Sequence, residues 1–256
     1  MCGITGFYSK TDNGLPKHNL VNSTNTFRHR GPDSEGYYYK NQNEEGKIVS
    51  SFEQIKNKDY LKIGIGFKRL SILDVEHGSQ PFTSPDGRYT AVFNGEIYNF
   101  KELKQQLSDW EFKSNSDGEI LIPMLIKYGV DFVKKLNGMF AISIYDAKED
   151  KFILIRDQVG VKPLYIYEDS NIFAFSSEIK SLLSFDSVKR EINYESVYDY
   201  LTFQNIFGDK TLFKNITLMP KGSILIFKEN SRENLTFWKY SDQDLSNKYI
   251  KDDLIG

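Results

Sequence analysis

The chain has 256 residues, of which 39% are hydrophobic and 27% are charged, and its formal net charge is −2. This is the composition of an ordinary globular protein, and the near-neutral charge gives no indication of a nucleic-acid partner. Its single cysteine excludes a disulfide framework, and without a signal peptide or an apolar stretch of membrane length we expect a cytoplasmic protein that contacts no membrane.

The first predicted strand follows the only cysteine, Cys2, which removal of Met1 would expose as the N-terminal residue. A terminal cysteine carries a thiol and a free α-amine on adjacent carbons, with ordinary pKa values of about 8.5 and about 7.7–8.0. The amine can therefore accept the thiol proton near neutral pH, as in catalytic N-terminal threonines. Cys2 is a candidate nucleophile, and a small buried hydrophobic residue in the first strand is the alternative interpretation.

Short runs rich in β-branched and aromatic residues predict strands along most of the chain. These runs are 3–8, 61–67, 89–93, 139–145, 151–155, 164–167 and 172–175. Short polar links such as 146–150 join them, and links of this length are too short for helical crossovers, so we expect antiparallel pairing.

Two helical patterns lie between the third and fourth predicted strands. Apolar residues at helical spacing form one face over 100–110, with Asn99 at the N-cap position. Residues 116–119 have the form of a capping box before a second apolar pattern. Pro123 within that pattern predicts either a kink or the true start of the helix.

Two further helices are predicted at 178–183 and around 194–201. Helices clustered between runs of antiparallel strands indicate an α+β protein and not a doubly wound sheet. From residue 241 the chain becomes polar. We therefore assign 2–240 to one domain, and 241–256 to a linker or the start of a further, C-terminal domain.

Several short motifs follow one another in an order that is informative as a set. They are Met1-Cys2-Gly3-Ile4, Arg28-His29-Arg30-Gly31-Pro32-Asp33, Arg69-Leu70-Ser71-Ile72, Asn94-Gly95-Glu96-Ile97-Tyr98-Asn99 and Ser116-Asp117-Gly118-Glu119. This set resembles the class II glutamine amidotransferases, and most of all the glutaminase domain of glutamine-dependent asparagine synthetases. The likeness continues through motifs at 136–141, 156–165 and 177–180, and thus covers residues 1 to about 240.

The resemblance implies a fold and a reaction. The fold is a four-layer αββα sandwich, two antiparallel sheets between helices, as in N-terminal nucleophile hydrolases. The reaction is hydrolysis of L-glutamine to glutamate and ammonia through a γ-glutamyl thioester on Cys2. No metal or cofactor is implied for this domain. ATP and magnesium are expected only for a C-terminal synthetase domain, the partner that would receive the ammonia, since the chain has no Walker-type phosphate loop.

The family's substrate contacts map onto four positions of this sequence. Asn94 and Gly95 correspond to the oxyanion donors, although an Asn-Gly pair is also a strong hairpin signal. Arg69 corresponds to the residue that binds the α-carboxylate of glutamine, and Asp117 to the residue that binds its α-ammonium group. Without the surrounding motifs, Arg69 would be interpreted as a solvated charge at the end of a strand. Asp117 would be interpreted as an acidic residue in the first turn of a helix, where it complements the helix dipole.

Four more residues receive supporting roles from the same resemblance. Glu96 and Ile72 are further substrate-binding candidates. Arg30 is expected to shape the loop near the terminal amine, and Asp33 to brace it.

Three alternative functions stay open at this point. The same glutaminase could supply ammonia for amidation of another carboxylate, such as a sugar acid in surface-polysaccharide synthesis. The domain could be a catalytically silent regulatory or assembly unit, which the joint presence of the site residues disfavours. It could also hydrolyse a different amide, although Arg69 and Asp117 suit a free α-amino acid. An apolar surface near the linker would allow the chain to form a homodimer.

Overall fold

The computed structural model describes residues 1–42, 44–55, 60–71, 74 and 78–242. Every predicted strand overlaps an observed one. The strands of the described residues are β1 (Gly3–Ser9), β2 (Leu15–Pro16), β3 (Ser34–Lys40), β4 (Lys47–Val49), β5 (Tyr60–Leu61), β6 (Ile63–Arg69), β7 (Phe82–Thr83), β8 (Tyr89–Ile97), β9 (Gly138–Asp146), β10 (Lys151–Arg156), β11 (Tyr165–Glu168), β12 (Ile172–Ser176), β13 (Ile216–Leu218), β14 (Ser223–Lys228) and β15 (Ser231–Thr236).

Two antiparallel sheets form the centre of the fold. The first has the strand order β13-β11-β12-β1-β6-β3-β4, and the second has the order β15-β14-β10-β9-β8-β7. Strands β2 and β5 pair apart from both. The neighbours in each sheet are antiparallel, which confirms the predicted pairing.

Helices cover the outer face of each sheet. They are α1 (His18–Asn25), α2 (Phe100–Gln105), α3 (Leu121–Tyr128), α4 (Ile179–Leu182) and α5 (Tyr194–Phe203), with short 3₁₀ turns at Phe52–Gln54, Asp117–Ile120, Gly129–Lys135 and Tyr240–Asp242. One buried cluster lies between the sheets, a second joins the second sheet to α2 and α3, and a third joins the first sheet to α1 and α4. The predicted αββα sandwich is therefore confirmed.

Two features of the helix predicted over 100–110 differ in the structure. The helix predicted over 100–110 ends at Gln105. Asn99 does not cap it with its side chain, because its Nδ2 donates to the Lys135 carbonyl (2.9 Å) and its Oδ1 accepts from the Asn137 N–H (3.0 Å). Pro123 lies in the first turn of α3, where backbone N–H groups have no intrahelical partner, so it marks the start of the helix.

Strand β3 has no counterpart among the predicted strands. Its residues Tyr37, Tyr38 and Tyr39 are all buried, because one face packs against the second sheet and the other against the helical layer. A strand that is buried on both faces shows no alternation of polar and apolar residues. The usual period-two signal is therefore absent from this segment.

Candidate active site

A cavity at one end of the sandwich contains most of the predicted site residues. It lies where the start of β1 and the end of β6 meet β8, which places segments from both sheets around it. The predicted residues that line it are Cys2, Arg69, Asn94, Gly95, Glu96 and Asp117. Ile72 lies outside the described residues.

The Cys2 thiol is half-buried and held by the backbone of the neighbouring strand end. Its Sγ accepts a hydrogen bond from the Leu70 N–H (3.4 Å) and lies 3.7 Å from the Leu70 carbonyl oxygen. Burial raises the pKa of this thiol, while the Leu70 N–H, the positively charged terminus and Arg69 act in the opposite direction. A buried neutral thiol needs a base close by before it can act as a nucleophile.

Arg30 fixes the chain terminus beside this thiol. The Met1 amine donates to the Arg30 carbonyl (3.3 Å), and Arg30 Nε donates to the Cys2 carbonyl (2.9 Å). Arg30 Nη1 donates to Glu178 Oε1 (2.9 Å), so a carboxylate from the opposite side orients the guanidinium. Burial, together with the positive charges nearby, lowers the pKa of the terminal amine. Glu178 had received no role from the sequence.

Asp33 supports the other side of the terminus. Its Oδ2 accepts the Ser71 N–H (2.7 Å), and its own N–H donates to the Arg69 carbonyl (3.1 Å). The Asp33 carboxylate therefore holds the segment that contains Leu70, the residue whose backbone N–H donates to the Cys2 thiol. Among the described residues, the carboxylate that contacts the Arg30 guanidinium is that of Glu178.

Asn94 and Gly95 lie in the interior of β8 and not in a hairpin turn, so the alternative interpretation of this pair is wrong. Asn94 is only 1% exposed, and its Nδ2 has no hydrogen-bond partner among the described residues. A Cβ at Gly95 would clash with the Met139 carbonyl and lie 2.7 Å from Phe140 Cα, so this position needs a glycine. Together the two residues present an unpaired buried donor in a tightly packed strand.

Gln80 holds β8 just before this pair. Its Oε1 accepts the Phe93 N–H (2.7 Å), and its Nε2 donates to the Phe93 carbonyl (3.3 Å). A side-chain amide thus replaces a neighbouring strand next to Asn94. The sequence offered no signal for this role, since Gln80 matches no motif.

Arg69 and Asp117 are charged residues that are each only 5% exposed. Arg69 Nη2 donates to the Asp74 carbonyl (2.6 Å). Asp117 accepts the Ile97 N–H at Oδ2 (2.8 Å) and the Gly118 N–H at Oδ1 (3.0 Å). Burial raises the pKa of the Asp117 carboxyl, and these N–H groups oppose that rise. A carboxylate has about four acceptor sites, so Asp117 retains acceptor capacity toward the cavity.

The described residues lack two features that other classes of protein would need. No helix in them is both long and apolar enough to cross a bilayer. In the same ranges, no three His, Cys, Asp or Glu side chains are grouped so that they could hold a metal ion.

Comparisons relate this chain to known proteins. Residues 50–238 match a family model described as a glutamine amidotransferase domain. All of the chain aligns with asparagine synthetase (glutamine-hydrolyzing) 2 of Bacillus subtilis, at 34% identity over 269 residues and 33% of that protein. In Gibberella zeae, amidase chry2 is 33% identical, over 98% of this chain and 36% of the relative. The chain therefore spans about a third of the length of these curated relatives.

A solved structure shows the same fold. The glutamine phosphoribosylpyrophosphate (PRPP) amidotransferase from B. subtilis superimposes with a TM-score of 0.66 at 18% identity. The match covers 92% of this chain and 49% of that one. At this identity the likeness concerns the fold alone.

Proposed function

This chain belongs to the glutamine amidotransferase family, and on that premise we propose that it hydrolyses L-glutamine to glutamate and ammonia, with Cys2 as the nucleophile. The observation that carries the proposal is the Asn94 side-chain amide, which is buried without a partner in the same cavity as the thiol. An unpaired buried donor costs free energy unless a ligand or a transition state uses it. A tetrahedral intermediate on Cys2 would supply the acceptor.

In the proposed reaction, removal of Met1 makes the Cys2 nitrogen a free α-amine beside its own thiol. The amine takes the Sγ proton as Sγ attacks the side-chain amide carbon of glutamine, so that a C–S bond forms and the carbonyl oxygen becomes an oxyanion. Asn94 Nδ2 and the Gly95 N–H stabilise that oxyanion. The C–N bond then breaks, and the amine returns its proton to the departing ammonia. Water then attacks the thioester carbon with the amine again as base, the C–S bond breaks, and the amine returns the proton to Sγ as glutamate leaves.

Every group in this scheme belongs to the chain, so we propose that the glutaminase reaction needs no metal or cofactor. The reaction also needs Cys2 as a free thiol. A reducing cytoplasm maintains thiols in this form, and we place the protein there. We further propose that the chain self-associates weakly, because α5 exposes several large apolar side chains, among them Tyr198 and Leu201.

The first test asks whether Arg69 and Asp117 bind the α-carboxylate and α-ammonium groups of glutamine. Arg69→Lys and Asp117→Asn are each expected to raise KM for glutamine about 10–100-fold with little change in kcat, because each removes a charge-assisted contact made in both the ground and the transition state. The measurement is steady-state release of glutamate and ammonia. N-acetylglutamine, which lacks the ammonium group, should be a poor substrate of the unaltered protein.

The control for this test is Arg232→Lys, which makes the same replacement on the exposed edge strand β15 and should leave both constants unchanged. Equal turnover of glutamine and N-acetylglutamine would contradict the assignment of Asp117.

Loss of the oxyanion donor gives the second test. Asn94→Ala is expected to lower kcat about 10²–10³-fold with a smaller change in KM, because the donor acts on charge that develops in the transition state. Asn94→Asp keeps the shape of the side chain but removes the donor, and should be at least as inactive. If Asn94→Ala changed KM alone, the oxyanion assignment would be wrong.

We propose that the ammonia is consumed by an ATP- and magnesium-dependent synthetase domain, with aspartate as the acceptor. The support is the name of the B. subtilis relative and the two thirds of its length that this chain does not match. The competing hypothesis is another carboxylate acceptor, since a relative of similar identity bears the name amidase chry2. Formation of asparagine from aspartate, ATP and glutamine by the full-length protein would distinguish them.

A further inference from the structure

Lys162 is a buried lysine in the cavity for which the proposed mechanism has no use. It is 5% exposed and lines the same cavity as Cys2. Its Nζ lies 3.4 Å from the thioether sulfur of Met1, which is a weak acceptor. Within the described residues no carboxylate lies within ion-pair distance of this Nζ. A buried ammonium without a carboxylate partner is costly and, in a cavity of this kind, is a candidate for function.

The loop between β10 and β11 holds Lys162 rigidly. Asp157 is fully buried and accepts the N–H groups of Gly160, Val161 and Lys162 at 2.6–3.0 Å. Arg156 donates Nε to the Lys162 carbonyl (2.9 Å) and Nη2 to the Gly160 carbonyl (2.8 Å). Two buried charged residues thus fix the backbone from which the lysine side chain extends. The backbone position of Lys162 is therefore well defined.

Other charges also face the terminus. Arg30 contributes a positive charge that Glu178 offsets, and Asp33 contributes a negative charge from the loop after α1. From the rest of the cavity come the charged side chains of Arg69, Glu96 and Asp117, while Asp157 lies under the loop of Lys162. Of the two cations that act on the terminal amine, Arg30 has a carboxylate partner, and Lys162 has none in the part of the chain that the structure describes.

We propose that Lys162 is a positioning residue of the glutaminase reaction, whose ammonium lies beside the new terminus and keeps the Cys2 α-amine in its neutral, proton-accepting form. This role rests on the proposed function. Nζ contacts the Met1 side chain, and Met1 is bonded to the Cys2 nitrogen, so Lys162 lies in the same cavity as the amine that removal of Met1 exposes. Two like charges at short range inside a protein repel strongly, and the protonated amine is therefore disfavoured.

The sign of the effect follows from the same charges. Burial lowers the pKa of the terminal amine as the structure has it, and Arg30 and Lys162 lower it further, against Cys2 and Asp33. Without the lysine charge, the pKa of the amine would be higher. The amine would then stay protonated up to a higher pH, and a protonated amine cannot act as the base. The acidic limb of kcat/KM reports this titration in the free enzyme.

The test is the pH profile of kcat/KM for glutamine in the processed protein and in Lys162→Met. We expect Lys162→Met to move the midpoint of the acidic limb up by about one pH unit, with the two profiles converging at higher pH. Lys162→Arg retains the charge and should restore the original midpoint. Lys228→Met removes one positive charge from the far end of β14 and serves as the control, with an unchanged limb. A lower rate at all pH values with an unmoved limb would overturn the proposal.

A direct titration separates this proposal from the proposed function. The Cys2 α-amine can be titrated by NMR with ¹⁵N-labelled cysteine, which requires no turnover. Its pKa should be higher in Lys162→Met than in the unaltered protein, and an equal pKa would overturn the role of Lys162. If Lys162→Met does not fold, Lys162→Gln takes its place in both measurements. Glutaminase activity that survives Cys2→Ala would instead overturn the proposed function.

Discussion

Replacing Cys2 by alanine is expected to lower glutamine hydrolysis by at least about 10⁴-fold, because the thioester route requires the thiol. The half-buried side chain packs at the edge of the core between the sheets, so the variant should keep its fold. The measurement is kcat from ammonia release, with the thermal melt as the control for folding. Binding of glutamine should persist, since the residues proposed to hold its α-groups are unchanged.

Chemical labelling checks the same prediction independently of turnover. A glutamine-like chloroketone should alkylate the unaltered chain once, and Cys2→Ala should not be labelled. Because Cys2 is the only cysteine, the label can be located without ambiguity by peptide mapping. A label on any other residue would remove Cys2 from its proposed role.

Retention of Met1 is expected to abolish activity as well. An acylated Cys2 nitrogen is an amide and cannot accept the thiol proton. Met1 also lines the cavity, where its sulfur contacts Lys162 at 3.4 Å and Arg30 at 3.9 Å. An unprocessed chain therefore lacks the base and carries a side chain in the space where glutamine would bind.

Intact-mass spectrometry combined with the glutaminase assay provides the measurement. A chain released by a protease so that it begins at Cys2 should be active, and the same chain with one glycine added before Cys2 should be inactive. Reaction with a cyanobenzothiazole, which is specific for terminal cysteine, gives the fraction of processed protein. A preparation with intact Met1 that turns over glutamine at the full rate would show that the terminal-base mechanism is wrong.

Local sequence patterns predicted the central strands of both sheets and four of the five α-helices of the described residues. The strand runs were recognised because β-branched and aromatic residues cluster between polar turns. Local patterns failed for β3 (Ser34–Lys40), for the later strands β13, β14 and β15, for three strands of two or three residues, and for α1. They also overestimated the role of Asn99, whose side chain bonds to the backbone of Lys135 and Asn137 instead of capping α2. For Asn99, a tertiary neighbour decided the outcome.

The site shows the same division. Its predicted members came from motifs that are each contiguous in sequence, and the structure brings Cys2, Arg69, Asn94 and Asp117 into one cavity. Motif order could not predict that the Asn94 amide is buried without a partner, since that depends on which strands pack around it. Ile72, a further predicted contact, lies outside the described residues.

By itself, the sequence determined the alternation of strands and helices, the α+β class and the nucleophile candidate, because these depend on residue type and local spacing, whereas the αββα layering was implied by the family resemblance. Only the tertiary structure assigned partners across long separations. Glu178 orients Arg30 from 148 residues away, and Lys162 approaches Met1 from 161 residues away. Contacts of this kind form only when the sheets have paired and packed, and burial then decides which charges remain without a partner. No local pattern contains that information.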